Sequence, residues 1–118
     1  MRILIVETHP LMRRLIRTVV QDLADAVVEC VDDAEAAVLY TAQQFGGRDR
    51  VLMDLEMPGD DGLEALRRLK SACPDAQILI VMQYDDAYLR AAAIEAGACG
   101  YVLKANLLDL RHLMEREP

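Results

Sequence analysis

An aspartate that directly follows a short aliphatic run is the clearest candidate for chemistry in this sequence. The apolar residues 51–53 lead into Asp54, and a Pro-Gly turn follows at residues 58–59. A buried parallel strand that ends in this way delivers one carboxylate to the rim of a sheet. Asp61, followed three residues later by Glu64, is typical of a capping box that opens the next helix. Asp54 could alternatively serve only to order its own loop.

Other aliphatic runs also end in residues that could act together with Asp54. These residues are Glu7 and Thr8 after the first run, Met82 and Gln83 after the fourth, and Lys104 after the fifth. Two carboxylates facing a lysine suit a divalent cation and a phosphoryl group, because Mg²⁺ binds one or two carboxylates together with substrate oxygens and water. An aspartate can act as the nucleophile that becomes an acylphosphate, and a lysine neutralises a phosphoryl oxygen. Lys104 could instead pack its stem on the sheet and keep its ammonium in water.

Strand-like and helix-like segments alternate along the chain. The strand-like runs lie at residues 3–6, 27–31, 51–53, 78–82 and 101–103. Helix starts are predicted at Pro10, at Asp32 with its capping partner Glu35, at Asp61, at Asp85 or Asp86, and at Asn106. This alternation predicts an α/β fold with a single five-stranded parallel sheet, right-handed crossovers and helices on both faces. In the flavodoxin-like (βα)5 order 2-1-3-4-5, ligands bind outside the carboxyl ends of the strands, where Glu7, Asp54 and Lys104 would meet.

The first predicted helix has an apolar stripe and a basic side. The stripe consists of residues at steps of four, Leu11, Leu15, Val19 and Leu23. A second row widens it, formed by Met12, Ile16 and Val20. The basic side consists of Arg13, Arg14 and Arg17, which are either solvated or available to an acidic partner. In the strand that follows, Glu29 predicts a position near the edge of the sheet.

Length and net charge limit the number of domains and the classes of function that are possible. The 118 residues make one domain with room for its own core, and the net charge of −7 argues against direct nucleic-acid binding, because phosphate contacts need a basic surface. Cys30, Cys73 and Cys99 show no metal-ligand spacing and are expected to be free thiols. No apolar run approaches the roughly 20 residues of a membrane helix, and the N-terminus lacks the layout of a signal peptide. We therefore expect a cytoplasmic domain that contacts no membrane.

Three motifs carry a family resemblance. They are ILIVETHPL at residues 3–11, MDLEMPG at residues 53–59 together with Asp61-Gly62, and EAGACGYVLK at residues 95–104. With them the chain resembles the receiver domain of two-component response regulators over essentially its whole length, residues 1–118. The His-Pro-Leu opening is most similar to receivers that precede a helix-turn-helix output domain, and no output domain is expected within these residues. The chain would then be either a stand-alone domain or a piece of a longer regulator.

The resemblance implies a role for each matching position. Asp54 would accept a phosphoryl group from a histidine kinase or another phosphodonor, and Lys104 would contact that group. Glu7, Asp54 and the backbone carbonyl of Glu56 would hold Mg²⁺, with no organic cofactor. Tyr101 occupies the place of the family's switch aromatic. No enzymatic activity is implied beyond self-phosphorylation and autodephosphorylation at Asp54.

Three positions depart from the family pattern, and each departure weakens a different part of the site. Family members normally carry two adjacent acids after the first strand, and the second of them binds the metal. Thr8 stands at that second position. Met82 replaces a Thr or Ser whose hydroxyl normally bonds the phosphoryl oxygen, and a thioether has no proton to donate. Gln83 replaces a small residue at the entrance. These departures leave open a receiver fold that acts without phosphate, through dimerisation or partner docking.

A docking surface is predicted on the fourth helix, fifth strand and last helix, around Tyr84, Tyr88, Leu89, Ala92 and Tyr101. Two tyrosines one helical turn apart, Tyr84 and Tyr88, could anchor an interface there. Tyr88 could alternatively only cover Ala-rich packing.

Two other functions are disfavoured by the sequence. An aspartyl phosphohydrolase would need a cap or further acidic loops, for which this length leaves little room. A dinucleotide-binding domain would need a G-x-G-x-x-G motif after the first strand, and none is present.

Overall fold

Strands and helices alternate along the computed structural model, which describes residues 1–23, 25–57, 59 and 61–115. The strands are β1 Arg2–Val6, β2 Val27–Val31, β3 Arg50–Met53, β4 Gln77–Met82 and β5 Gly100–Leu103. The helices are α1 Pro10–Val20, α2 Ala34–Gln44, α3 Gly62–Ala72, α4 Ala87–Glu95 and α5 Leu108–Glu115, with a 3-10 turn at Lys104–Asn106. Pro58 of the predicted turn and the last residues, 116–118, lie outside the described part.

All five strands pair in parallel in the order β2-β1-β3-β4-β5, as the alternation predicted. In the centre of the sheet, Val6 of β1 stands level with Met53 of β3. β2 is an edge strand, which agrees with the position predicted from Glu29. Since neighbouring strands run the same way, their carboxyl ends open at one edge of the sheet, and the residues that follow them are brought together there.

The helices cover both faces of the sheet. α1 and α5 bury Ile16 and Leu110 on one face, against a cluster that includes Ile5 and Leu52 of the strands. On the other face, α2, α3 and α4 pack against a cluster that includes Val51 and Met53. The strands of the centre are buried on both sides, which explains their nearly continuous aliphatic sequences.

The core stripe of α1 differs from the predicted one. Ile16 and Val20 are buried, whereas Leu11 and Leu15 are 55% and 42% exposed. The four-residue steps of Leu11 and Leu15 therefore trace the border of the buried face. The row at Ile16 and Val20, predicted only to widen the stripe, forms its centre. Leu23 is buried beyond the end of the helix.

Helix caps and strand starts correct several predicted boundaries. Asp33 caps α2 by accepting from the Ala36 N–H at 2.7 Å, so the predicted cap at Asp32 is one residue too early. Asp61 caps α3 and Asp86 caps α4, both among the predicted positions. α5 begins after the 3-10 turn, without a cap from Asn106. β3 begins at Arg50, a charged residue that the apolar pattern excluded from the strand.

Across the described residues, no helix combines the length and the apolar character needed to span a bilayer.

Candidate functional site

Glu7, Asp54 and Lys104 meet at the carboxyl edge of the sheet. The Lys104 Nζ donates to Asp54 Oδ2 at 2.7 Å and to Glu7 Oε1 at 3.1 Å. The Glu7 and Asp54 residues are only 2% and 6% exposed. The ammonium therefore bridges two buried carboxylates, and the alternative in which it lies free in water is wrong.

Backbone contacts hold Asp54 in place. Its N–H donates to the Val6 carbonyl of the neighbouring strand at 3.2 Å. Its Oδ1 accepts the Glu56 N–H at 2.8 Å, so one oxygen orders the following loop while the other faces Lys104. Asp54 thus does order its own loop, as the alternative reading expected, but that accounts for only one of its two oxygens.

The loop after β3 is packed tightly against the start of α3. Asp61 accepts from the Leu63 and Glu64 N–H groups and thereby caps the helix. A Cβ on Gly62 would lie 2.1 Å from the Leu55 carbonyl oxygen, a distance that real atoms do not tolerate. The absence of a side chain at Gly62 therefore allows the loop that carries Asp54 to approach the helix.

Burial and charge oppose one another within the site. Burial raises the pKa of Glu7 above its usual range, and the hydrogen bond from Lys104 only partly offsets this effect. Burial acts to lower the pKa of Lys104, but its bonds to Asp54 and Glu7 outweigh burial and raise the pKa. One ammonium shared between two carboxylates leaves the site with an excess of negative charge when all three groups are ionised.

The donor set suits a divalent cation. The carboxylates of Glu7 and Asp54 face the same point, and Mg²⁺ needs one or two carboxylates when water and substrate supply the remaining oxygens. Among the residues that the structure describes, no three His, Cys, Asp or Glu side chains form a metal-binding group. Thr8, which is half-buried, supplies a hydroxyl where a third carboxylate would strengthen such a site.

Met82 and Gln83 differ in their burial. Met82 is 1% exposed and belongs to the core cluster on the α2–α4 side, so the carboxyl end of β4 presents no hydroxyl to Asp54. Gln83 is exposed and lines a cleft of about 490 Å³ beside Lys104. The other lining residues are His9, Met12, Tyr84 and Ala105. Gln83 therefore lies beside an open cleft that reaches Lys104.

Tyr101 connects β5 to the loop before α4. Its hydroxyl donates to the Tyr84 carbonyl at 2.9 Å, and the Arg90 guanidinium carbon lies 5.0 Å from its ring centre. Tyr84 lies in this loop, since α4 begins at Ala87, so the spacing of one helical turn predicted between Tyr84 and Tyr88 is wrong.

The predicted docking surface is partly exposed. Tyr84 and Tyr88 are 67% and 79% exposed, whereas Leu89 and Ala92 are half-buried. Tyr88 therefore does not cover the Ala-rich packing of α4. The apolar part of this surface is concentrated on two tyrosine rings.

Two buried charged residues, Asp49 and Arg50, were missed by the sequence reasoning. Arg50 is 8% exposed, at the amino end of β3 and so at the opposite edge of the sheet from Asp54. The only signal in the sequence was an arginine directly before an aliphatic run, which is more often read as the residue outside a strand.

Comparison with known proteins places residues 3–116 within the model of the response regulator receiver domain family. Among curated proteins, the response regulator UvrY of Escherichia coli (strain K12) is 35% identical over 103 residues, which cover 86% of this chain and 46% of UvrY. The chain spans about half the length of the curated relatives it matches.

Solved structures agree with this family. A two-component response regulator of the LuxR family from Aurantimonas sp. SI85-9A1 is 32% identical, with a TM-score of 0.78 over 96% of this chain and 84% of that one. The Mn²⁺-bound form of response regulator Rcp1 is 26% identical, with a TM-score of 0.73 over 97% of this chain and 88% of that one.

Proposed function

Because this chain belongs to the response regulator receiver family of two-component systems, we propose that Asp54 accepts a phosphoryl group from a histidine kinase or another phosphodonor. The observation that carries this proposal is the bridge from the Lys104 Nζ to Asp54 Oδ2 at 2.7 Å and Glu7 Oε1 at 3.1 Å. It joins a buried nucleophile, a cation for the incoming phosphoryl oxygens and a second acid. These are the groups that phosphoryl transfer to a carboxylate requires.

The transfer uses an oxygen of Asp54 as the nucleophile. That oxygen attacks phosphorus, the bond from phosphorus to the donor's imidazole nitrogen breaks, and the imidazole leaves with the bonding electron pair. The Glu56 N–H holds Oδ1 and limits rotation of the carboxylate during attack. Lys104 exchanges its bond to Asp54 Oδ2 for one to a phosphoryl oxygen, because that oxygen then carries more negative charge than the acylated carboxyl.

A divalent cation fits between these acids. Glu7, Asp54 and the backbone carbonyl of Glu56 would hold Mg²⁺, and the manganese-bound form of Rcp1 supports a divalent ion in a related receiver. The ion would supply positive charge that Lys104 alone lacks when the phosphoryl group arrives. With Thr8 in place of a third acid, we expect its affinity to be low.

Phosphorylation is proposed to be slow and poorly coupled to a conformational change. Thr8 removes one charge from the cation site, and Met82 removes one hydrogen-bond donor to the phosphoryl group. Each lost contact to a charged group costs roughly 1.5–3 kcal/mol, so the two together slow transfer by several powers of ten. A switch needs a contact that differs between the two states, and Met82 provides no such contact.

The identity of the donor and the output are inferred from relatives. The match to about half the length of longer regulators supports a receiver that controls a separate output domain, including DNA-binding outputs of the LuxR type. The net charge of −7 places any nucleic-acid contact on that output domain and not on this one.

A second function is favoured by the exposed tyrosines. In this proposal the domain works without phosphate and docks a second copy of itself through α4, β5 and α5. Tyr88, at 79% exposed, supplies an aromatic anchor on a helix face, and Tyr101 holds the neighbouring Tyr84 loop in place.

Incubation with a small acyl phosphate and Mg²⁺, followed by intact-mass measurement, separates the two proposals. The first expects one added phosphoryl group, absent from Asp54→Asn. The second expects self-association that persists in Asp54→Ala. A chain that gains no mass at saturating donor, beside a competent control receiver, contradicts the first proposal.

A further inference from the structure

Arg50 carries a charge that the receiver mechanism does not use. It lies at the amino end of β3 with 8% of its surface exposed, and its Nε is buried without a hydrogen-bond partner. Within the described residues its guanidinium forms no ion pair. Burying most of a guanidinium without a counter-charge is unfavourable, so this position favours an anion.

The adjacent acid does not neutralise Arg50. Asp49 accepts the Arg2 N–H with Oδ1 and the Gly46 N–H with Oδ2, each at 2.7 Å. Both oxygens are therefore engaged with backbone groups of the preceding loop and of β1.

A second donor stands beside Arg50. Gln77, the first residue of β4, is level with Arg50 in the sheet, so the two side chains emerge on the same face about 4.8 Å apart. Its half-buried carboxamide forms no hydrogen bond within the described part of the chain. The guanidinium fork and the amide N–H₂ together offer parallel donors to one group of oxygens.

The surrounding charge favours a multiply charged ligand. The Lys70 ammonium adds a second positive charge at the amino end of β4, where it donates to the carbonyl of Ala76, the residue directly before Gln77. This bond is 2.9 Å long, and among the described residues Lys70 forms no ion pair with an acid. A dianion gains more from these two positive charges than a monoanion does.

We infer that Arg50 and Gln77 form a binding site for an oxyanion of the phosphate class, at the opposite end of β3 from Asp54. β3 separates the two sites, so this one is independent of the proposed phosphorylation. The Arg50 fork would bind two oxygens side by side, in the geometry that guanidinium groups use for phosphate.

The test is a titration of the whole chain with inorganic phosphate, with chloride used to keep the ionic strength constant. Backbone amide resonances report the location of binding. We expect saturable shifts at Arg50, Gln77 and Cys99, and no saturable shift at Asp54 or Lys104. Arg50→Met should lose these shifts, whereas the matched variant Arg48→Met, on an exposed loop, should keep them.

Thermal unfolding gives a second readout. Arg50→Met should be more stable than the wild type in chloride, because a buried charge is removed. Phosphate should raise the melting temperature of the wild type by about 3–5 °C more than that of Arg50→Met. Equal phosphate effects in both proteins, or saturable shifts centred on Lys104, would overturn the inference. Acetate acting as strongly as phosphate would overturn the assignment of a phosphate-class ligand.

Discussion

The ammonium of Lys104 lies 2.7 Å from the carboxylate of Asp54, although the two residues are 50 positions apart in the chain. The same ammonium reaches Glu7, so a single cation offsets part of the charge of two buried carboxylates. This arrangement makes the stability of the domain sensitive to each of the three groups, and it leads to the first two predictions.

Lys104→Met should destabilise the fold by about 3 kcal/mol, because it leaves two buried carboxylates without a cation. Urea unfolding at neutral pH measures this loss. Arg67→Met is the matched control, since Arg67 pairs with Glu64 on the surface and its loss should cost less than ~0.5 kcal/mol. Equal losses of unfolding free energy in the two variants would show that Lys104 does not offset the charges of Glu7 and Asp54.

Glu7→Gln should stabilise the metal-free domain by about 1 kcal/mol at neutral pH, because Lys104 then serves a single carboxylate. The pKa of Glu7 is raised in the folded state, so the wild type loses stability as pH rises through that folded pKa. The advantage of the variant should therefore grow with pH and disappear where Glu7 is protonated in both states. Melting temperatures in chelator at acidic and neutral pH measure it, and a pH-independent difference would contradict the expectation.

Thr8→Asp combined with Met82→Thr should raise the rate of phosphorylation by at least ~100-fold, since each change restores a contact to charge. Intact mass against time, with a small acyl phosphate and Mg²⁺, gives the rate. The single variants separate the effects. Thr8→Asp should mainly raise the affinity for Mg²⁺, whereas Met82→Thr should raise the rate of phosphorylation even at saturating Mg²⁺. An unchanged double variant would mean that these positions do not limit the reaction.

Gly62→Ala should cost about 2–3 kcal/mol, because its Cβ would collide with the Leu55 carbonyl. The displaced loop should also slow phosphorylation of Asp54. Gly46→Ala is the control, since the nearest atom to its Cβ would be 3.9 Å away. Urea unfolding of the two variants compares the costs directly, and a similar result for both would show that the loop has room to move.

Tyr88→Glu should weaken self-association by at least ~10-fold under the second proposed function, because a charge would replace an aromatic anchor. Sedimentation velocity over a range of protein concentrations measures it. Leu39→Glu, on the exposed side of α2, provides a control at an apolar residue that is 58% exposed. Dimers that survive Tyr88→Glu would place the interface elsewhere.

The fold was predictable because its strands are covered on both faces. Burial on two sides requires almost every residue of a central strand to be apolar, so residues 3–6, 51–53 and 78–82 were visible as unbroken runs. The motifs then indicated which strand ends meet. The distances within the site were not predictable, because the reach of the Glu7 side chain depends on its rotamer and on where Lys104 is held.

Other features depended on tertiary packing. The periodicity of α1 allowed either of two neighbouring rows to face the sheet, and only the packing of the helix buried Ile16 in preference to Leu15. The position of Arg50 in β3 was missed because charged residues have a low propensity for central strands. Pairing with the neighbouring strands overrides that propensity here.

The bond between Lys104 and Glu7 links positions 97 residues apart, near the two ends of the domain. During synthesis the amino-terminal acids leave the ribosome long before their cation does. Until β5 docks, Glu7 and Asp54 face each other uncompensated, and a chain interrupted before that strand cannot complete the pocket. Closure of the site at Asp54 therefore requires that the last strand has been added.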